Sequence, residues 1–197
     1  MARDVSFRCK CGRVQGNLRG VGPGAGCHLV CYCADCRAAA RHLGQLDQLL
    51  PGGGSALYQT LSSRATIDLG GEYIACLRLS PKGLHRWYAA CCNRPLANTV
   101  GTAKMPFIGF WRPVFSDPAA LGPVQSHGFT KYALREPGAP TKDRGMAIMA
   151  WGMLRRTAMA YATGTVYPHP FFNPDGTPLV TPAVLDPSQR AAAYRDP

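Results

Sequence analysis

Apolar positions along this chain fall in short runs, mostly of period two, cut by glycine and proline. Residues 13–19 set Val14, Gly16 and Leu18 against Arg13, Gln15, Asn17 and Arg19, the pattern of a half-exposed strand. With an apolar run at 5–8 they predict a hairpin whose turn carries Cys9-Lys10-Cys11-Gly12. Residues 20–26 (GVGPGAG) predict a turn, and no helix follows as a phosphate-binding loop would require. Residues 27–32 predict a strand. Residues 34–43 predict a short helix, with Asp35 suited to its N-terminal dipole, Ala38, Ala39 and Ala40 favouring it, and Gly44 ending it. Runs at 56–61, 66–69 and 73–79 predict an antiparallel meander. Residues 84–88 predict one more strand, which delivers Cys91-Cys92. Residues 107–115, rich in aromatics and interrupted by Pro113, are expected to close over a sheet.

The pattern changes near residue 136. Pro137, Gly138 and Pro140 mark a linker, dividing the chain into a β domain over 1–135 and an extension over 136–197. Residues 146–161 form the strongest helical stretch, apolar nearly all round, with only Arg155 and Arg156 charged. Such a helix needs a cover. Its own domain or a second subunit, giving a homodimer, is the common solution; a membrane surface is the less common one. Met146, Met149, Met153 and Met159 read as core. The tail from Pro168 reads as mostly extended, pinned by Phe171 and Phe172, with a final polar helical turn. The fold class expected is mainly β, with short antiparallel strands and a C-terminal helical extension.

Size and charge narrow the function. The 197 residues, 46% of them hydrophobic, suit one domain plus an extension. A net charge of +11 favours anionic partners. Tight Lys/Arg runs are absent, so nucleic acid or an acidic membrane ranks behind a small anionic molecule. No uninterrupted apolar run long enough for a membrane span is present, and the first residues lack the apolar core of a signal peptide; a cytoplasmic location is expected.

The nine cysteines carry the chemistry. Their odd number speaks against a complete disulfide framework. Cys31, Cys33 and Cys36 crowd into one six-residue stretch, CYCADC. Thiolates are soft donors suited to zinc, and three protein ligands with one open position mark a catalytic zinc, four a structural one. Cys9, Cys11, Cys91 and Cys92 make a candidate set of four. Cys76, in an apolar run, reads as core. Cys27 could add a ligand, though a core role is preferred. His85, beside Trp87, reads as packing rather than as a ligand. Cys36 would sit in the first helical turn, where backbone amides stabilise a thiolate. Arg37 and Arg41 share a helix face. They are either solvated or anchors for a substrate carboxylate.

Three segments together resemble the glutathione-dependent formaldehyde-activating enzyme family and its zinc-binding β-tent relatives. Cys9-Lys10-Cys11-Gly12-Arg13-Val14 is similar to the family's C-x-C-G-x-V. Cys31 to Arg37 is similar to its C-x-C-x-x-C-R. Residues 86–96 resemble a degraded C-x-x-C-G-T-x-L. The helix and tail resemble an extension of an uncharacterised bacterial branch. The resemblance implies a β-tent stapled by zinc, a structural zinc on Cys9, Cys11 and Cys92, and a second, catalytic zinc on Cys31, Cys33 and Cys36. It also implies carbon–sulfur lyase chemistry on formaldehyde and a thiol such as glutathione. The family's remaining structural cysteine falls at Ala89, so Cys91 must replace it. Adjacent residues point apart in a strand, so that needs a local bend. Asn93-Arg94 replaces the family's Gly-Thr. A non-catalytic zinc-stabilised module that binds protein, nucleic acid or membrane is the alternative.

Overall fold

The computed structural model describes residues 2–22 and 24–195. Strands β1 (Arg3–Arg8) and β2 (Gln15–Val21) form the expected hairpin, and β5 (Ala65–Leu69) joins its far side. Gly16 sits where the strands crowd: a Cβ there would lie 2.1 Å from the Thr66 carbonyl and 2.5 Å from the Phe7 ring. The larger sheet is built from β3 (Gly26–Cys31), β4 (Ser55–Leu61), β6 (Ile74–Arg78), β7 (His85–Ala89), β8 (Arg94–Thr99), β9 (Phe107–Trp111), β10 (Ser126–Gly128) and β11 (Ala183–Val184). Its order is β10-β3-β4-β9-β8-β7-β6-β11, antiparallel except at the two edges. The fold is therefore mainly β, as the patterning requires.

Three sequence expectations are corrected. The runs after residue 56 form strands but no meander: β4 pairs with β3 and β9, β5 with β2, and β6 with β7. Apolar alternation fixes a strand's faces, not its partner. Residues 107–111 do not cover a sheet; they are β9, inserted between β4 and β8. The glycine-rich turn is shorter than expected, because β2 runs through Val21 and β3 begins at Gly26; its Pro23 lies outside the described residues.

The two sheets meet through aromatic side chains. Phe7 of β1 packs on Phe110 of β9 at 5.0 Å, and Phe115 meets both rings edge-on. Phe7 also bridges Phe115 backbone to backbone. Helix α1 (Ala34–His42) is separated from β3 by two residues, and Gly44, at φ +67°, follows it in the left-handed conformation.

The C-terminal third lies against this framework. Helix α2 (Met146–Ala162) buries Arg156 and Ala160, and Gln59 of β4 touches Met153 at 3.7 Å. Its opposite face leaves Ile148, Trp151 and Leu154 more than half exposed. No helix among the described residues is long and apolar enough to cross a membrane. Phe171 stacks on Trp87 at 4.7 Å with planes 8° apart, and Phe172 stacks on His85. The chain then adds β11 beside β6 and ends in α3 (Pro187–Ala193), which has an Asp186/Gln189 capping box and packs on α1. The tail is thus part of the sheet and the core.

His169 gives this docking a pH signature. Burial pushes it down to about 4, and its Nδ1 accepts the Phe171 amide at 3.1 Å. The unfolded chain takes up that proton near pH 6.5, the native chain only near 4. Native stability is therefore expected to fall as pH drops through that window, by about 3 kcal/mol from this group. Urea unfolding at pH 7 and pH 5 checks it: His169→Phe should flatten the slope, and an unchanged slope would refute the account.

Candidate metal centres

The first centre joins the two sheets. Chain leaving β1 turns at Gly12, φ +80°, whose amide donates to the Cys9 carbonyl at 3.1 Å. The turn presents Cys9 and Cys11, and the Val14 amide donates to Cys9 Sγ at 3.3 Å. From the larger sheet, the β7–β8 turn presents Cys91 and Cys92. The adjacency problem is solved here, because these cysteines lie in a turn rather than a strand. Asn93, at φ +52°, takes the left-handed position that suits glycine, and asparagine tolerates it best among the rest. Ala89, buried in β7, offers no ligand.

All four sulfurs lie within 4.8 Å of one another, with Cys9–Cys11 at 3.5 Å, Cys9–Cys91 at 3.8 Å and Cys11–Cys91 at 3.2 Å. A tetrahedral zinc with 2.3 Å bonds separates its sulfurs by about 3.8 Å, so the donor set fits such an ion. Cys11 is drawn down to about 7, first by the Arg13 amide and then by Cys91.

The second centre lies where β3 meets α1. Cys31 ends the strand and Cys33 caps the helix, its Sγ accepting the Cys36 amide at 3.4 Å. Amide support was expected at Cys36; it falls on Cys33 instead. The three sulfurs lie within 4.8 Å of one another. Cys31 and Cys36 are buried and Cys33 is partly exposed, so solvent approaches from the Cys33 side. Hydrogen bonds from Cys31 and Cys33, then the charge of Arg86, hold Cys36 well below the ordinary thiol value.

Arg86 is the residue that motif reading missed. It sits inside β7 at 4% exposure. One nitrogen approaches Cys36 Sγ at 3.8 Å and Asn98 Oδ1 at 3.5 Å, and the other lies 3.9 Å from Asp35. A guanidinium stays charged when buried and must find an anion. Asp35 is half exposed, so the sulfur cluster is the buried counter-charge. A divalent ion held by three thiolates would carry one net negative charge, which Arg86 would neutralise. The only hint in the sequence is a charged residue between His85 and Trp87 in an otherwise apolar strand.

The other candidates separate cleanly. Arg37 is not solvated: it is buried and donates to the Tyr132 carbonyl at 3.1 Å. With Arg41 it lines a cavity of about 370 Å³, together with Leu49, Pro51, Leu134 and Glu136. Cys27 and Cys76 are buried and belong to neither cluster. His85 packs between Phe172 and Trp87.

Replacing Arg86 by Met should weaken zinc binding at the three-cysteine cluster by about ten- to a hundredfold, the usual effect of losing an outer partner, and leave the four-cysteine cluster unchanged. Competition against a chromophoric chelator, with zinc counted per chain, measures both. Equal affinities in the variant and the parent would refute the counter-charge role.

None of the curated proteins matches this chain. A solved structure that does match is the crystal structure of a Rhodobacter sphaeroides protein, at 16% sequence identity and a TM-score of 0.41; the match covers 60% of this chain and 96% of that one. A family model matches residues 1–178, across both cysteine clusters, β7 and α2. The chain therefore belongs to DUF6151, a family of unknown function.

Proposed function

We propose that this chain is a zinc enzyme of the carbon–sulfur lyase kind, joining a thiol to a small aldehyde such as formaldehyde at the three-cysteine centre. The observation that carries the reading is the contrast between the clusters. Four sulfurs close one site, whereas the other offers three and balances their charge with a buried arginine. The similarity of Cys9 to Val14 and Cys31 to Arg37 to the formaldehyde-activating family supports the same chemistry.

Cys31, Cys33 and Cys36 would hold a zinc ion, which would supply Lewis acidity and favour the thiolate form of an incoming thiol. The chain's own groups do the rest. Asn98 and Cys36 hold Arg86 in place, and partly exposed Cys33 leaves the approach. Arg37 and Arg41, lining one cleft beside α1, offer positive charge to the carboxylate of an anionic thiol such as glutathione. The thiol sulfur forms the new C–S bond, the carbonyl π pair moves to oxygen, and the thiol proton ends on that oxygen. Nine free thiols suit a reducing compartment such as the cytoplasm.

A non-catalytic binding module is the second reading. The exposed Ile148, Trp151 and Leu154 face of α2, next to Arg155, favours it.

Exchange spectroscopy by NMR on glutathione and formaldehyde decides between them, because it resolves catalysed from spontaneous adduct formation. The zinc-loaded chain should speed exchange, and Cys33→Ser should remove at least about 99% of that gain, more than 2.7 kcal/mol in barrier. Cys76→Ser, outside both clusters, should retain it. No acceleration with glutathione, cysteine or coenzyme A would overturn the enzyme reading in favour of the module.

A further inference from the structure

Where β4 leaves the larger sheet, polar atoms gather that the protein does not satisfy. Among the described residues, the Tyr58 hydroxyl, Gln59 Oε1, Ser62 Oγ, Arg64 Nε and Arg156 Nη2 are buried with no hydrogen-bond partner. They come from the end of β4, the turn at 62–64 and the inner face of α2. Native interiors leave few such atoms, and each concentration of them calls for a water or an ion.

The chemistry of this group is cationic. Arg156 is 9% exposed, and no carboxylate among the described residues pairs with it. Burial pushes its pKa down, and Arg155 and Arg64 add like charge. The Cys27 thiol beside it is itself pushed up by burial, so it stays neutral. A buried water could take the hydrogen bonds of Arg156 but not its charge.

Arg64 stands at the opening. Its Nη1 donates to the carbonyls of Arg19 at 3.3 Å and Gly20 at 3.2 Å, which fixes the plane of the guanidinium. Gly20, at φ +63°, makes the seat: a Cβ there would lie 2.7 Å from Arg64 Nη1. Arg19, Arg64, Ser63, Thr165, Tyr167 and Leu61 line a cavity of about 360 Å³. Its lining holds two arginines and three hydroxyl-bearing residues, and no carboxylate.

We propose that this cavity binds a small oxyanion of the phosphate class, with Arg64 as its direct partner, Ser63 and Thr165 as neutral donors, and Arg156 as the buried charge behind it. The site is separate from both cysteine clusters and stands whether or not the chain is an enzyme. It owes nothing to a phosphate-binding loop at the head of a helix. The charge comes from side chains, and glycine serves only to seat one of them.

Isothermal titration of the full zinc-loaded chain with inorganic phosphate, at fixed ionic strength against chloride, tests it. Saturable one-to-one binding is expected, weakened at least tenfold in Arg64→Met and in Arg156→Met. Sulfate should compete. Tighter binding of glycerol 3-phosphate would mean the anion arrives on a small organic group that meets Leu61 and Tyr167; equal binding would mean the free ion. Thermal unfolding provides a second readout. Without phosphate, Arg156→Met should be at least as stable as the parent, because an uncompensated buried charge is gone; with saturating phosphate the parent should overtake it. Phosphate no better than chloride, or unchanged affinity in Arg64→Met, would overturn the proposal. So would a large loss of stability in Arg156→Met without phosphate, since it would mean the arginine already has its partner.

Discussion

Four thiols within 4.8 Å of one another, drawn from two different sheets, are the constraint on which this architecture turns. Cys9 and Cys11 hang from the small sheet, Cys91 and Cys92 from the large one. The small sheet has only three strands and buries a short apolar set, chiefly Val5, Phe7, Val14 and Leu18. Such a layer supplies little free energy by itself. The Phe7–Phe110–Phe115 cluster holds it against the layer it covers, and an ion shared by the four sulfurs would fix its other end. The turns that carry the sulfurs are correspondingly specialised. Each ends in a left-handed residue, Gly12 on one side and Asn93 on the other.

Strand β7 then links the second centre to the C-terminal tail through the alternation of its side chains. Arg86 projects to the face where α1 places Cys36. Trp87 projects to the opposite face and receives Phe171. Asp35, which faces Arg86, also accepts the hydroxyl of Tyr194 at 2.6 Å, just beyond α3. The tail is therefore tied to both faces of one strand, once by aromatic stacking and once by a polar contact next to the cysteine cluster. Asp35 thus serves both the end of the tail and the arginine that flanks the three sulfurs.

Much of this was legible in the sequence, and the limits have physical causes. Local signals survived: the hairpin, α1 with Cys36 in its first turn, α2, the buried Cys76 and the two cysteine sets all follow from spacing and period. Pairing did not survive, because 65–69 looks like any short apolar run until Gly16 and Ile67 are seen to meet across the ladder. A two-residue edge strand such as β11 has no period to detect. Arg86 was invisible for a different reason: its role depends on a partner fifty residues away, and nothing in a strand's sequence says which sulfur it will face. Cys91 and Cys92 needed a local bend to serve as joint ligands, and the turn between β7 and β8 supplies it.

The basic balance of the chain takes on a different meaning once burial is considered. A net charge of +11 suggests a solvated field that attracts polyanions from a distance. Part of it is interior instead. Arg86 and Arg156 are both nearly buried, the first within the large sheet on β7 and the second on α2 beside it. Arg86 has sulfur, amide and carboxylate within reach; Arg156 has the neutral Cys27 thiol beside it, no carboxylate among the described residues, and its Nη2 without a hydrogen-bond partner. A fold rarely keeps a guanidinium in its interior without an anion, because hydrocarbon of the same volume would serve packing as well. One arginine is explained by the thiolates beside it. The same reasoning applied to the other is what motivates the proposed anion beside Arg156.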